Sequence, residues 1–325
     1  MSKQVKLDVK NLSTYFFTSE GVLPAVDCVS FTVNSGEKVA IVGESGCGKS
    51  VTCLSIMRLI RQPGKIVGGE VFFEGKDLLK NSEQKMRKIR GSKISMIFQE
   101  PVTSLNPVMT CGDQIAESFM LHRGLSRKDA LEKAVEMLKL VDISAPEQRV
   151  KEYPFQLSGG MCQRVMIAMA LGCTPEILIA DEPTTALDVT VQAQILDLIK
   201  INSQKLQMSL LLITHDIAMA FETVEKIIVM YGGKVVEESD VHTIAQQPLH
   251  PYTEGLLNSI PSIDKVRTKR LQVIRGIVPS PLDLPSGCTF NPRCSYVMDI
   301  CKEEQPPLKV IAKNHSVRCW LRTPY

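Results

Sequence analysis

The segment from residue 43 to residue 50 constrains this chain more than any other feature of its sequence. It fits the pattern G-x-x-x-x-G-K-[ST], follows the apolar run Val39 to Val42 and precedes the helix-compatible run Val51 to Ile60. A strand, a glycine-rich loop and a helix in this order let backbone N–H groups surround a phosphate at the start of the helix. The pattern therefore predicts a nucleoside triphosphate site in an α/β fold. The predicted site residues are Gly43, Glu44, Ser45, Gly46, Cys47, Gly48, Lys49, whose charge faces the β- and γ-phosphates, and Ser50, whose hydroxyl ligates magnesium.

Charge and hydropathy narrow the class of protein. The formal net charge is +3 and 22% of the 325 residues are charged, so the composition demands neither a nucleic-acid partner nor an anionic membrane. Apolar runs such as Ile177 to Ala180 and Leu210 to Ile213 are far shorter than the roughly 20 residues that cross a bilayer. They predict buried parallel strands. No apolar stretch of signal-peptide length follows the first lysines, so we expect the chain to stay in the cytosol.

The pattern of short apolar runs also predicts the order of the structural regions along the chain. Residues 5 to 40 alternate apolar and polar positions, which predicts an antiparallel sheet. From there to about residue 237, strand-length apolar runs alternate with helix-like segments, which is typical of a sheet flanked by helices. The stretch 111–140 predicts a helical insert. Ten of the 18 prolines and four of the ten cysteines lie beyond Asp240, which indicates a separate C-terminal module with little regular structure.

Two acids and a histidine stand at predicted strand ends. Asp181 and Glu182 follow the strand Ile177 to Ala180, at the edge where open α/β sheets place their ligands. Asp181 can hold the magnesium shell, and Glu182 can polarise an attacking water, as phosphoryl transfer requires. His215 follows the next apolar strand, where its imidazole could donate a hydrogen bond to the γ-phosphate.

The segment Leu157-Ser158-Gly159-Gly160-Met161-Cys162-Gln163-Arg164 resembles the signature of ABC ATPases, with methionine where many members carry glutamine. Further positions follow the same family pattern. Gln99 resembles the Q-loop glutamine, which contacts ATP and magnesium, Ala186-Leu187-Asp188 resembles the D-loop, and Phe16 the aromatic residue that stacks on adenine. Tyr15 and Phe17 are adjacent competitors for stacking, and a core role for any of the three stays open.

The resemblance implies a fold and a mechanism. The fold is an α/β P-loop NTPase of the ABC type, with a RecA-like sheet, an antiparallel β subdomain and a helical subdomain at about residues 100–170. Ser158, Gly159 and Gly160 precede an apolar-rich stretch, so they present donors at a helix start, which attracts phosphate. In the family this element acts on ATP held by the opposite subunit. Two ATPase subunits must then close head to tail.

Two other segments resemble one branch of the family. Residues 98–107, FQEPVTSLNP, look like the extended Q-loop of bacterial peptide importers, and His250-Pro251-Tyr252-Thr253 looks like the start of their C-terminal extension. The resemblance continues to Cys319 and points to the D-type ATPase subunit of dipeptide and oligopeptide importers. It implies an ATPase domain over residues 1–240 and an importer extension over 241–325.

Four late cysteines predict a metal site in that extension. Five, six and 17 residues separate Cys288, Cys294, Cys301 and Cys319, and four thiolates suit zinc or an iron–sulfur cluster. The spacing matches neither zinc ribbons nor ferredoxins, so the residues alone leave the metal open. Similar importer subunits carry a 4Fe-4S cluster at these positions. The resemblance therefore implies that cluster, with zinc and unliganded thiols as the alternatives.

The resemblance further implies partners and a location. These are a second, related ATPase subunit, two membrane permeases whose coupling helix docks on the region from Gln99 into the helical insert, and an extracellular peptide-binding lipoprotein. The chain would lie at the cytoplasmic face of the bacterial membrane. Import of nickel, opines or glutathione by a similar motor stays open, since other subunits select the cargo. A soluble ABC ATPase acting on nucleic acid or ribosomes is disfavoured, because the chain has neither a second ATPase cassette nor a basic cluster with interleaved aromatics.

Overall fold

A computed structural model describes residues 4–185, 187–260 and 274–323. Its strands are β1 (Val5–Thr18), β2 (Gly21–Asn34), β3 (Lys38–Val42), β4 (Gly64–Phe73), β5 (Lys76–Asp77), β6 (Ile94–Ile97), β7 (Ile177–Asp181), β8 (Ser209–Thr214), β9 (Lys226–Tyr231), β10 (Lys234–Asp240), β11 (Lys309–Ala312) and β12 (His315–Val317). Its α-helices are α1 (Lys49–Ile56), α2 (Glu83–Ile89), α3 (Pro101–Ser104), α4 (Cys111–Arg123), α5 (Arg127–Leu140), α6 (Pro146–Arg149), α7 (Gly159–Leu171), α8 (Val189–Lys205), α9 (Ile217–Thr223), α10 (Val241–Gln246), α11 (Pro251–Asn258) and α12 (Asp299–Glu303).

The chain divides into two compact units. Unit 1 comprises Met1–Gln4, Asn34–Glu37 and Lys80–Ile213, and unit 2 comprises Val5–Val33, Lys38–Leu79 and Thr214–Tyr325. The phosphate-loop segment and the C-terminal segment therefore share unit 2, although some 200 residues separate them in the sequence.

Unit 2 contains the predicted antiparallel sheet. Its strands lie in the order β2-β1-β4-β5, and β1 pairs antiparallel with β4, with Leu7 opposite Phe73. Apolar side chains at alternate positions of β1 and β2, such as Leu7, Val9, Val29 and Val33, are buried, because successive side chains of a strand point to opposite faces.

Unit 2 also contains the strand that leads into the phosphate loop. All five residues of β3 are buried, and β3 pairs in parallel with β9, which pairs antiparallel with β10. The C-terminal strand β12 continues this pairing, because it lies antiparallel to β10. The segment His315–Val317 is thus hydrogen-bonded to β10, the antiparallel neighbour of β9.

Unit 1 contains the strands that end at the predicted acids. Strands β6, β7 and β8 pair in parallel, and every residue of the three strands is buried. Short apolar runs at 177–180 and 210–213 predict this correctly, since a strand covered on both faces needs continuous rather than alternating apolar residues.

The predicted helical stretch 111–140 is two helices. Helix α4 ends at Gly124, whose φ of +66° reverses the chain, and α5 begins after Ser126, whose side chain accepts the Asp129 N–H. Helix α5 packs against α4 and α7 through buried Ala130, Ala134 and Leu138. Within the described residues, no helix is both long and apolar enough to span a bilayer.

Candidate functional site

The phosphate loop connects β3 to α1, and two of its glycines are required by the packing. Gly43 has a φ of +154°, and a Cβ there would lie 2.3 Å from the Met230 carbonyl oxygen on β9. Gly48 has a φ of +100°, and its Cβ would lie 2.2 Å from the Ala25 carbonyl oxygen. No side chain fits at either position, so the loop backbone lies directly against two neighbouring strands.

Lys49 lies over the loop rather than in solvent. The residue is 4% exposed, and its ammonium group donates to the carbonyl oxygens of Gly43 at 2.8 Å and Glu44 at 3.0 Å. Ser50 occupies the first turn of α1, while Ser45 and Gly46 are exposed at the tip of the loop. The positive charge is therefore held within the concave side of a loop whose tip is open to solvent.

The three candidate aromatic residues on β1 have different environments. The Tyr15 hydroxyl donates to Asp27 at 3.2 Å, and Phe17 is 49% exposed. Phe16 is half-buried and points to the same side of the strand as Thr14, whose hydroxyl lies 2.7 Å from that of Ser55 on α1. Phe16 is thus the aromatic residue on the side that faces the helix of the phosphate loop.

Asp181 and Glu182 end β7 in different environments. Asp181 is 4% exposed, whereas Glu182 is half-buried and has a φ of +44°, which non-glycine residues seldom adopt. The Glu182 N–H donates to the Ile213 carbonyl oxygen at 2.9 Å, which fixes this conformation. Such local strain is common at functional sites.

The Glu182 carboxylate contacts a second residue that the sequence singles out. Gln99 Nε2 donates to Glu182 Oε2 at 3.0 Å, and the Thr185 hydroxyl donates to the same oxygen at 3.1 Å. Sequence reasoning missed Thr185; its position three residues after the acid was the available signal. The two donors orient the carboxylate without neutralising it.

His215 lies in the turn between β8 and α9 and is exposed. The neighbouring backbone is well anchored, because the Asp216 N–H donates to Thr214 Oγ1 at 3.0 Å and Asp216 caps α9 by accepting the Met219 N–H. The turn therefore presents an imidazole at the end of a buried strand.

The signature segment begins α7. Ser158 is the N-cap, and its hydroxyl accepts the Met161 N–H at 3.3 Å. Ser158 and Gly159 are exposed, and a Cβ on Gly160 would lie 3.2 Å from Val191 on α8. Among the predicted D-loop residues, Asp188 caps α8 through the Val191 N–H at 3.0 Å, and Ala186 lies outside the described residues.

The predicted iron–sulfur cluster and its zinc alternative are wrong. Cys288, Cys294, Cys301 and Cys319 line one small pocket, but in the part of the chain that the structure describes no three His, Cys, Asp or Glu residues form a group that could hold a metal ion. Burial raises the pKa of the Cys288 thiol to about 11 and raises the pKa of Cys294 and Cys319 as well.

Sequence reasoning also missed the contacts between the loop and the C-terminal segment. Arg293 forms an ion pair with Glu44 and the Tyr252 hydroxyl accepts the Glu44 N–H. No local signal reveals these pairs, because more than 200 residues separate the partners.

Two family models and several described relatives match this chain. A family model described as ABC transporter matches residues 26–185, and one described as oligopeptide/dipeptide transporter, C-terminal region, matches residues 236–301. The oligopeptide transport ATP-binding protein AppD of Bacillus subtilis is 54% identical over 316 residues, which are 97% of this chain and 96% of AppD. The dipeptide transport ATP-binding protein DppD of Escherichia coli is 48% identical over 313 residues, 96% of this chain and 95% of DppD.

A solved structure extends the likeness to three dimensions. The ATP-binding cassette MJ0796, described as a dimer in a post-hydrolysis state bound to ADP and phosphate, superposes with a TM-score of 0.65 at 32% identity. The match covers 72% of this chain and 98% of the cassette.

Proposed function

The chain belongs to the ABC transporter family, and from that premise we propose that it is the ATP-hydrolysing subunit of an importer of dipeptides or oligopeptides. The observation that carries the proposal is the combination of an ABC transporter match over residues 26–185 with an oligopeptide/dipeptide transporter match over residues 236–301. Relatives that match along nearly the whole chain bear peptide-transport descriptions.

The phosphate loop binds ATP. Backbone N–H groups of residues 43–50 face the phosphates, and Lys49 moves its donors from the loop carbonyls to phosphate oxygens when ATP is present. Phe16 stacks on adenine, which its position on the α1 side of β1 supports.

Magnesium is the ion that an ABC ATPase uses with ATP. The hydroxyl of Ser50, the amide oxygen of Gln99 and the carboxylate of Asp181 would hold it, because they are oxygen ligands of the kind that magnesium prefers. Asp181 is only 4% exposed. When bound, the ion neutralises charge on the phosphates during transfer.

Glu182 is the general base. Its carboxylate orients and polarises the attacking water, while Gln99 and Thr185 hold the carboxylate in place. His215 donates a hydrogen bond to the γ-phosphate from its exposed turn.

The signature residues serve a partner's ATP. Ser158, Gly159 and Gly160 open a 13-residue helix, and the first two are exposed, so their donors are available to a second subunit. Asp188 belongs to the same contact. A dimeric solved relative bound to ADP and phosphate supports this arrangement, and here the partner is a related ATPase subunit.

Exposed apolar side chains of unit 1 support docking of the membrane permeases. Val108 lies just after the Gln99 segment and is 80% exposed, and Phe155 is 73% exposed and stacks on Tyr153 just before the signature. The proposed partners are two permeases and an extracellular lipoprotein that delivers the peptide. Bound to the permeases, the chain would lie at the cytoplasmic face of the membrane.

Purification from bacterial membranes tests the proposal. The full chain should co-purify with two permeases and a related ATPase subunit, and a peptide-loaded binding protein should stimulate ATP hydrolysis by this complex in proteoliposomes. The proposal would be contradicted if the chain hydrolysed ATP without any associated permease. It would also be contradicted if the ATPase activity of the complex did not respond to the peptide-loaded binding protein.

A further inference from the structure

Glu44, the second residue of the phosphate loop, uses all three of its polar groups in contacts within unit 2. Its N–H donates to the Tyr252 hydroxyl at 2.8 Å, and its carbonyl oxygen accepts from Lys49 at 3.0 Å. Its carboxylate accepts two hydrogen bonds from Arg293, Nη1 to Oε2 at 2.6 Å and Nη2 to Oε1 at 3.0 Å. Two residues of the C-terminal segment therefore hold one residue of the loop by both backbone and side chain.

Arg293 is itself fixed. Its side chain is 4% exposed, and Nε donates to the Arg275 carbonyl oxygen at 3.0 Å. The guanidinium lies 5.7 Å from the centre of the Tyr231 ring and 6.0 Å from that of Phe290. A planar fork with its rotation blocked is the geometry that holds a carboxylate most firmly.

Tyr252 is equally rigid. It is fully buried, and its ring centre lies 4.7 Å from that of Tyr231 and 5.4 Å from that of Phe290. Tyr231 ends β9, directly after Met230, whose carbonyl oxygen closes on Gly43. The aromatic cluster thus sets the position of the Tyr252 hydroxyl relative to the loop backbone.

The charge of Glu44 explains why such a clamp is needed. A carboxylate in a loop that receives a triphosphate repels it, and the repulsion is strong where protein shields the charges from water. Arg293 neutralises Glu44 and turns the carboxylate aside. Breaking the ion pair would free a negative charge beside the phosphates.

We propose that Tyr252 and Arg293 are positioning residues for the ATPase, and that they hold Glu44 so that the phosphate loop keeps its nucleotide-binding conformation. The C-terminal segment then sets the affinity of the chain for ATP. This inference rests on the proposed function, because it assigns a determinant of ATP binding at the same loop.

Titration of the full chain with a fluorescent ATP analogue, in parallel with thermal unfolding, tests the inference. Tyr252→Phe and Arg293→Lys should each weaken binding on the order of tenfold, about 1.4 kcal/mol, through loss of one loop contact. In the assembled ATPase the same variants should raise KM for ATP and leave kcat within about twofold. Arg318→Lys is the matched control, because Arg318 is also held by carbonyl oxygens of unit 2, those of Val235 and Pro306, without contacting the loop.

A double-mutant cycle separates positioning from simple attachment. Arg293 acts through Glu44, so the two substitutions should not add. The double variant Glu44→Gln with Arg293→Lys should bind ATP at least as tightly as whichever single variant has the lower affinity. Losses that add, or an Arg318→Lys variant that loses as much affinity as Arg293→Lys, would overturn the inference. Binding by Tyr252→Phe and Arg293→Lys at the strength of wild type would overturn it as well.

Lys49→Ala, measured in the same titration, distinguishes a failure of the positioning role of Tyr252 and Arg293 from a failure of the proposed nucleotide site. If wild type binds ATP, Lys49→Ala loses binding and the clamp variants match wild type, only the inference fails. If wild type and Lys49→Ala bind alike, the proposed nucleotide site itself fails.

Discussion

The phosphate loop and the signature segment both act on ATP phosphates in our proposal, yet their surroundings differ. The loop is packed against β2 and β9 and held by Tyr252 and Arg293, with Lys49 only 4% exposed. The signature residues Ser158 and Gly159 are exposed at the start of a long helix. The difference agrees with our proposal that the chain organises its own ATP-binding half internally and presents the signature residues to a partner.

The largest expected effect comes from the base. Glu182→Gln should lower kcat for ATP hydrolysis by roughly a thousandfold, because the amide cannot take the proton of the attacking water. Binding should persist, since the loop is untouched. Steady-state ATPase activity of the reconstituted complex measures this, with Thr185→Val, which removes one donor to the carboxylate, as a milder control. Wild-type turnover in Glu182→Gln would contradict the assignment.

The packing of the loop predicts the next effect. Gly48→Ala should lower the free energy of unfolding by about 4 kcal/mol, since it combines a left-handed backbone with a backbone clash at Ala25. Urea denaturation measures the loss. Gly46→Ala is the control, because Gly46 has a φ of +79° but no atom within 4 Å of a Cβ. Equal losses in the two variants would show that the loop is not packed as described.

The buried histidine beside the aromatic cluster predicts a pH effect on unit 2. Burial lowers the pKa of His250 to about 4, and its neighbours are the Glu237 carboxylate and the Arg318 guanidinium. In the unfolded chain the His250 imidazole binds a proton as the pH falls through about 6.5, whereas in the folded chain it stays neutral until about pH 4. Stability should therefore fall by about 3 kcal/mol as pH drops from 6.5 to 4.

Denaturant titrations between those pH values, with His250→Asn for comparison, isolate the contribution. Asparagine can still cap α11 by accepting the Tyr252 N–H, but it does not titrate. The variant should show a flatter dependence on pH. An unchanged slope would assign the acid sensitivity to other groups.

The smallest expected effect on stability comes from the exposed signature segment. Ser158→Ala should lower the free energy of unfolding by only about 1 kcal/mol, through loss of the N-cap of α7. Ser158→Asp restores a cap and should recover that stability, yet its charge should repel the partner's phosphates and abolish hydrolysis by the complex. Thermal unfolding and ATPase assays together would show whether the residue serves the helix or the partner.

The sequence predicts the elements well where the signal is local. Continuous apolar runs predict β7 and β8, and the glycine pattern between a strand and a helix predicts the phosphate loop. The break between α4 and α5 was missed, although Gly124 was a usable signal for a helix end. Apolar periodicity continues on both sides of that glycine and hides the break.

Long-range geometry is not predictable in this way. The spacing of the four late cysteines allows a metal site, but it does not fix the positions of the thiols, and the structure contradicts the cluster within the described residues. The contact of Glu44 with Arg293 depends on packing between segments 249 residues apart. The local sequence around Glu44 does not reveal that its carboxylate pairs with Arg293, and the local sequence around Arg293 does not reveal it either.

Binding of a fluorescent ATP analogue to the isolated full chain tests most directly whether the chain builds one half of an ATP site for itself and one for a partner. Lys49→Ala should weaken binding at least about tenfold, because charged hydrogen bonds to phosphate are lost. Ser158→Arg should bind like wild type while the complex that contains it loses hydrolysis. Equal loss of binding in Lys49→Ala and Ser158→Arg would contradict the division.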